Sequence, residues 1–156
     1  MKIFPESNYS IELNIDSKLA VSKLENQTLS KEQFVTNWNN QSFIGIIKEN
    51  EFEIKLSKQI SGEFCILNGK LENKKEKIEI RTGKIFKIIF LLIISFTLSA
   101  IILAIIQNKL ELIFYYLLTI LIIRFVFLEL GFKIVSKITV NKLTEIIEIK
   151  QINKTL

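Results

Sequence analysis

Apolar residues recur along this chain in two rhythms. Over roughly the first eighty residues the period is two. Tyr9, Ile11, Leu13 and Ile15 alternate with Ser10, Glu12, Asn14 and Asp16, as in a strand with one buried and one wet face. Phe52, Ile54 and Leu56 alternate with Glu51, Glu53 and Lys55, and Ile78 and Ile80 with Lys77, Glu79 and Arg81. With 43–48 and 62–72 the last two stretches, 51–57 and 76–82, predict a four-stranded antiparallel meander. Its first turn is Glu49-Asn50. Two sites compete for the last. Asn68-Gly69 is a strong two-residue hairpin signal, whereas Asn73-Lys74-Lys75 leaves strands of matched length. We prefer the second, which makes Gly69 a bulge or a point of close approach. Short helices are expected after Asp16 or Ser17, carrying Leu19, Ala20 and Leu24. Another is expected near 31–38, where Ser30-Lys31-Glu32-Gln33 fits a capping box and Leu29 can staple onto Phe34.

The second rhythm is an unbroken apolar run. Residues 88–106 read IIFLLIISFTLSAIILAII, nineteen residues without a charge. As a helix they extend about 28 Å, close to the hydrocarbon thickness of a bilayer. Gln107, Asn108 and Lys109 form a short polar turn, and 110–130 is again apolar apart from Glu111, Arg124 and Glu129. Its uncharged centre, 112–123, is short enough for a re-entrant or surface helix to compete. An antiparallel span is preferred, because a three-residue turn cannot lead a chain leaving the bilayer elsewhere. Arg124 then either snorkels to the interface beside Phe125 and Phe127 or is a buried intramembrane charge. Glu129, five residues on, is poorly placed to pair with it on an α-helix. Lys84, Lys87, Arg124 and Lys133 are the expected membrane-interface residues. Ser95 with Ser99, and Ala100 with Ala104, offer strips for close helix packing, within the hairpin or between copies.

Beyond the hairpin, 131–140 suits a strand (Phe132, Ile134, Ile138, Val140) or a helix with Val135, Ile138, Lys142 and Leu143 along one side. Helix is preferred. Asn141 is expected to cap a helix over 142–150 whose stripe of Leu143, Ile146 and Ile147 packs back on the sheet. The fold class expected is therefore an α+β membrane protein. Its antiparallel β-meander domain with a C-terminal helix is interrupted by a two-helix transmembrane hairpin. The expected units are 1–83, 84–130 and 131–156.

Charge placement refines this. The formal net charge is +5, yet residues 1–83 hold twelve basic and twelve acidic residues, so the excess belongs to 84–156. Basic residues flanking apolar runs suit anionic lipid better than nucleic acid, which is not expected as a partner. Lys74, Lys75, Lys77, Arg81, Lys84 and Lys87 precede the first span, Lys133, Lys137 and Lys142 follow the second, and the turn has only Lys109. The positive-inside rule then predicts an inner-membrane protein with both termini cytoplasmic. Residues 1–10 contain no apolar signal-peptide region, so the first span is the expected targeting signal.

Candidate chemistry is sparse. The chain has no histidine and one cysteine, Cys65, which removes His-dependent catalysis, thiolate zinc sites and an internal disulfide. Cys65, between Phe64 and Ile66 in a strand, reads as a buried inert thiol. Glu49, Glu51 and Glu53 read as a solvated face. Trp38 with Asn37, Asn39 and Asn40 suits a loop over the core or a polar pocket. No glycine loop for phosphate exists, and no cofactor or metal is implied. The leading expectation is a non-enzymatic, membrane-anchored binding or adaptor module for an unknown ligand or protein, with the lipid bilayer as partner and a homo-oligomer as an option. The alternative is a membrane-disrupting or channel-like effector whose β-domain senses a cytosolic signal. An enzyme using carboxylates alone ranks last.

Short motifs carry one resemblance. Phe43 with Gly45, Phe52 with Ile54, Phe64 with Gly69, and Gly131 with Phe132 are similar in order to motifs of small bacterial two-span membrane proteins of unassigned function. The similarity covers about 40–150, and the polar and proline positions of that group's third strand are not seen in 60–66. It implies a β-domain interrupted by a transmembrane helical hairpin, and no activity. Two broader plans are also similar: the helix-grip fold, and membrane effectors of bacterial nucleotide-signalling defence, which place their spans first.

Overall fold

The computed structural model describes residues 4–30, 41–57 and 59–155. Its strands are β1 (Glu6–Leu13), β2 (Thr28–Ser30), β3 (Phe43–Lys48), β4 (Glu51–Leu56), β5 (Cys65–Lys70), β6 (Lys75–Thr82) and β7 (Ile149–Thr155). They form one sheet in the order β2-β3-β4-β5-β6-β1-β7. The expected meander is its centre, β3 to β6, each strand antiparallel to the next. Glu49, in the left-handed region at φ 52°, turns β3 into β4. The β5–β6 turn falls at Asn73, where the Glu76 carboxylate accepts from the backbone N–H groups of Glu72 (3.2 Å) and Asn73 (2.7 Å). Asn68 and Gly69 instead lie within β5. A Cβ on Gly69 would stand 2.6 Å from Phe52 Cζ and 2.8 Å from Ile78 Cγ2, so this glycine is a point of close approach.

The structure corrects the meander at two places. The sheet is mixed, because β2 runs parallel to β3; the twelve-residue connection is long enough for the crossover that parallel strands need. Ser30 belongs to β2, and the helix expected near 31–38, with Phe34, Asn37, Trp38, Asn39 and Asn40, lies outside the described residues. Residues 62–64 are not strand: α2 (Gln59–Phe64) precedes β5, taking Phe64 off the sheet and onto the Phe86 ring, 3.8 Å between centroids.

Asp16 caps α1 (Ser17–Asn26) by accepting from Lys18 N at 3.2 Å. Ala20, Val21 and Leu24 are buried, whereas Leu19 is 49% exposed. The chain then runs from β6 through Gly83 into α3 (Lys84–Ile106), turns, and returns as α4 (Glu111–Ile122). A π-helical stretch over Ile123–Leu130 leads without a break into α5 (Gly131–Ile147). Helix thus wins over strand at 131–140. No boundary falls at Asn141, and the helix stops at Ile147 rather than 150. Glu148 turns the chain in the left-handed region at φ 51°, beside Lys23, and β7 then pairs with the open edge of β1.

The buried stripe of α5 is Phe132, Ser136, Thr139, Val140, Leu143 and Ile147. Val135 and Ile146 flank it half-buried, and Ile138 points away, 51% exposed. Leu143 and Ile147 interlock with Leu24 of α1 and with Ile11, Ile54, Leu67 and Ile80 of the sheet, all essentially inaccessible. The motif glycines resolve into packing pairs. Gly45 lies against the Ile54 backbone, Gly69 against Phe52 and Gly131 against Phe64.

Two helices, Lys84–Ile106 and Glu111–Ile147, are long and apolar enough to cross a membrane. Their apolar side chains are mostly bare, with Phe96 75% and Ile106 71% exposed. The less exposed positions recur every three or four residues: Ile94, Thr97, Ala100, Ile101 and Ala104 on α3, then Ile113, Tyr116, Ile120 and Ile123 opposite. Ala100 and Ala104 therefore belong to the hairpin seam, while Ser95 and Ser99 face outward. The hydroxyls of Thr97, Ser99 and Thr119 return to backbone carbonyls four residues earlier.

Candidate functional site

Where α3 leaves the sheet, the first turn of the helix overhangs the sheet face opposite α1 and α5. A cavity of about 430 Å³ lies in the angle between them. The alternation of the strands explains its lining. Ile44 of β3 is registered with Lys55 of β4, and Ile66 of β5 with Arg81 of β6, so all four lie on this outer face. Glu53 follows one pair further along β4. Glu63, the penultimate residue of α2, and then Lys84, Ile85 and Lys87 of α3 close the cavity from the hairpin side.

Its charges fall into two sets. The Lys55 ammonium pairs with the Glu63 carboxylate, both partly buried. The Arg81 guanidinium stands 4.0 Å from Glu53, and with the Asn68 amide oriented by its hydrogen-bonding neighbours, Arg81 also donates Nε to the Asn68 oxygen at 2.7 Å. Lys84 and Lys87 form the second set, three residues apart on one helix face. Lys87 lies over the Phe4 ring, 5.3 Å from its centroid, and Phe4 meets Phe90 edge-on at 5.7 Å. Among the lining residues four side chains are cationic and two anionic, and the carboxylates are matched to Lys55 and Arg81.

The same corner joins the hairpin to the sheet. Phe64 lies between Phe86 of α3 and Gly131 of α5, whose missing side chain admits the ring: a Cβ there would be 2.8 Å from Phe64 Cζ. Gly83 N–H donates to the Phe64 carbonyl at 3.0 Å. Thr82, beneath the cavity, donates its hydroxyl to the Pro5 carbonyl at 2.9 Å. This corner is thus tied together by hydrogen bonds to backbone carbonyls and by packed aromatic rings.

The residues singled out from sequence are scattered. Lys84 and Lys87 line the cavity; Lys133 stands exposed at the start of α5. Arg124 lies in the π-helical stretch beside Glu129. Its side chain is 21% exposed and its guanidinium lies 3.6 Å from Glu129. The π-helical turn makes this approach by carrying residues five apart toward one side, but at 3.6 Å it is not a hydrogen bond, and Arg124 Nη1 has no hydrogen-bond partner among the described residues. Cys65 is buried, and burial pushes its thiol up to about 12, so it is a poor nucleophile. Glu51 is exposed and pairs with Lys70, and Glu49 forms the turn. Among the described residues no three His, Cys, Asp or Glu side chains converge on a metal-sized site. Sequence reasoning missed Lys55, Glu63 and Arg81 as neighbours. A trace was present: Ile66 is apolar on a face of β5 that otherwise carries Asn68 and Lys70, as expected where something overhangs it.

Comparison with known proteins returns no match, neither to a protein-family model, nor to a characterised protein, nor to a solved structure.

Proposed function

We propose that this chain is a membrane-anchored binding module, with α3 and α4 spanning the bilayer and the sheet domain against its inner face. The observation carrying the reading is the junction: two long apolar helices with bare surfaces rise from a sheet whose outer face holds a charged cavity at their root. Water is a poor solvent for surfaces such as Phe96, Ile106 and Phe114, which a bilayer would cover. An even number of crossings is supported by the sheet, because β1 precedes the hairpin, β7 follows it, and the two are hydrogen-bonded neighbours. The basic flanks against a turn holding only Lys109 and Glu111 support a cytoplasmic domain. Below the span, Ile134 and Ile138 stay exposed beside Lys133 and Lys137, a pattern suited to the headgroup layer.

Binding is favoured over catalysis because Glu53 and Glu63, the carboxylates the cavity brings together, each face a cation rather than each other. A pore is not favoured, because the hairpin hydroxyls of Thr97, Ser99 and Thr119 are engaged with their own backbone.

The test is carbonate extraction of membranes with labelling of Asn108→Cys and Lys154→Cys by an impermeant maleimide. The protein should resist extraction; Asn108→Cys should label in intact cells, and Lys154→Cys only after lysis. Release into the soluble fraction would remove the membrane reading, and labelling of Asn108→Cys only after lysis would reverse the topology.

A further inference from the structure

We infer that the cavity at the root of α3 holds the phosphate of an anionic phospholipid of the inner leaflet. This rests on the membrane-anchored reading above and names the ligand for its site. Three observations converge. The first is the charge balance: Glu53 and Glu63 are matched by Arg81 and Lys55, and Lys84 and Lys87 face the cavity without a paired carboxylate among the described residues. A phosphate supplies the missing negative charge and accepts hydrogen bonds from both ammonium groups. The second is the divided lining, with Ile44, Ile66 and Ile85 beside the cations. A lipid matches this division, bringing glycerol and the start of its acyl chains with the phosphate; a free inorganic ion would leave the apolar wall without a partner. The third is place: Lys87 immediately precedes the uncharged run beginning at Ile88, so the cavity opens at headgroup height, where anionic lipid concentrates beside basic residues. A volume of about 430 Å³ leaves room for a headgroup.

The chain carries its own reporter. Cys65 is its only cysteine and is buried in β5, so a thiol-reactive dye labels it when the domain unfolds. The 156-residue chain in phosphatidylcholine-doped micelles should gain on the order of 5–10 °C in labelling midpoint when phosphatidylglycerol replaces phosphatidylcholine near saturation. The Lys84→Gln/Lys87→Gln variant should lose that difference; Lys84→Gln alone serves if the double variant is not recovered. Because the readout is the difference between two lipids in one protein, any intrinsic change in variant stability cancels. Inorganic phosphate should leave the midpoint unchanged. An equal gain with inorganic phosphate would assign the site to a soluble anion and overturn the lipid source. An equal gain in the lysine variants, or no gain in wild type, would overturn the site itself. Membrane retention on carbonate extraction separates failure of this inference from failure of the anchored reading.

Discussion

Gly131 is where the second long helix meets the sheet domain, and a single methyl group there measures how tightly the two are joined. Its torsions are ordinary for a helix, φ −58° and ψ −47°, so the backbone does not demand glycine. In an open helix Gly131→Ala would stabilise by about 1 kcal/mol through reduced backbone entropy. Here the new Cβ would lie 2.8 Å from Phe64 Cζ and 2.9 Å from Cε1, well inside contact distance. The ring cannot retreat freely, because Phe86 packs against it at a tilt, 3.8 Å between centroids. Overpacking of this kind costs about 1–3 kcal/mol, so the net effect should be a loss of up to ~2 kcal/mol, or about 4–8 °C for a chain of this size. In a Phe64→Leu background the clash is gone, and the same substitution should raise the midpoint by about 2–4 °C. The coupling between the two sites should therefore be about 1–3 kcal/mol, read from a double-mutant cycle by thermal unfolding in detergent with Cys65 labelling. Equal stabilisation by Gly131→Ala in both backgrounds would show that methyl and ring do not meet, and the junction described above would be wrong.

Three further outcomes are expected. Gly45→Ala should damage folding more than Gly131→Ala, because its Cβ would stand 2.1 Å from the Glu53 carbonyl oxygen and 2.7 Å from Ile54 Cα, backbone atoms that cannot swing aside; a monodisperse gel-filtration peak with a wild-type midpoint would contradict this. Ile93→Lys and Ile102→Lys each place a charge mid-span at about 2.5–3.5 kcal/mol, so membrane fractionation should show lost insertion, and normal recovery of both would count against α3 as a span. Burial raises the Cys65 thiol from 9.0 to about 12, so the folded state favours the protonated form. Its contribution to stability is complete below about pH 9 and is lost as pH rises toward 12. Cys65→Ala should accordingly show a shallower alkaline fall in its circular-dichroism midpoint, and parallel curves would sink the argument.

What could be read from residue order was whatever depends on near neighbours. The nineteen uncharged residues from Ile88 made a long helix because in such a run every side chain prefers an apolar surrounding, whatever lies nearby in space. The strands β1, β4 and β6 followed from period-two alternation, and the turn at Asn73 from the requirement that paired strands match in length. The inertness of Cys65 followed from its apolar neighbours. The approach of Arg124 to Glu129 was not legible, because it depends on a π-helical turn that residue spacing does not announce.

Tertiary structure decided the rest. β7 carries two isoleucines three residues apart, Ile149 and Ile152, too few to mark a strand locally; the free hydrogen-bonding edge of β1 makes it one. Residues 62–64 alternate well enough for a strand, yet Phe64 gains more by stacking between Phe86 and Gly131, which are distant in sequence. The cavity is the extreme case. Lys55, Glu63, Arg81, Lys84 and Lys87 come from two strands and two helices, and no periodicity within any one segment encodes that they meet. A local pattern reports which face of an element is buried; which faces come together depends on register and crossing geometry, and these are set only when the whole sheet has formed.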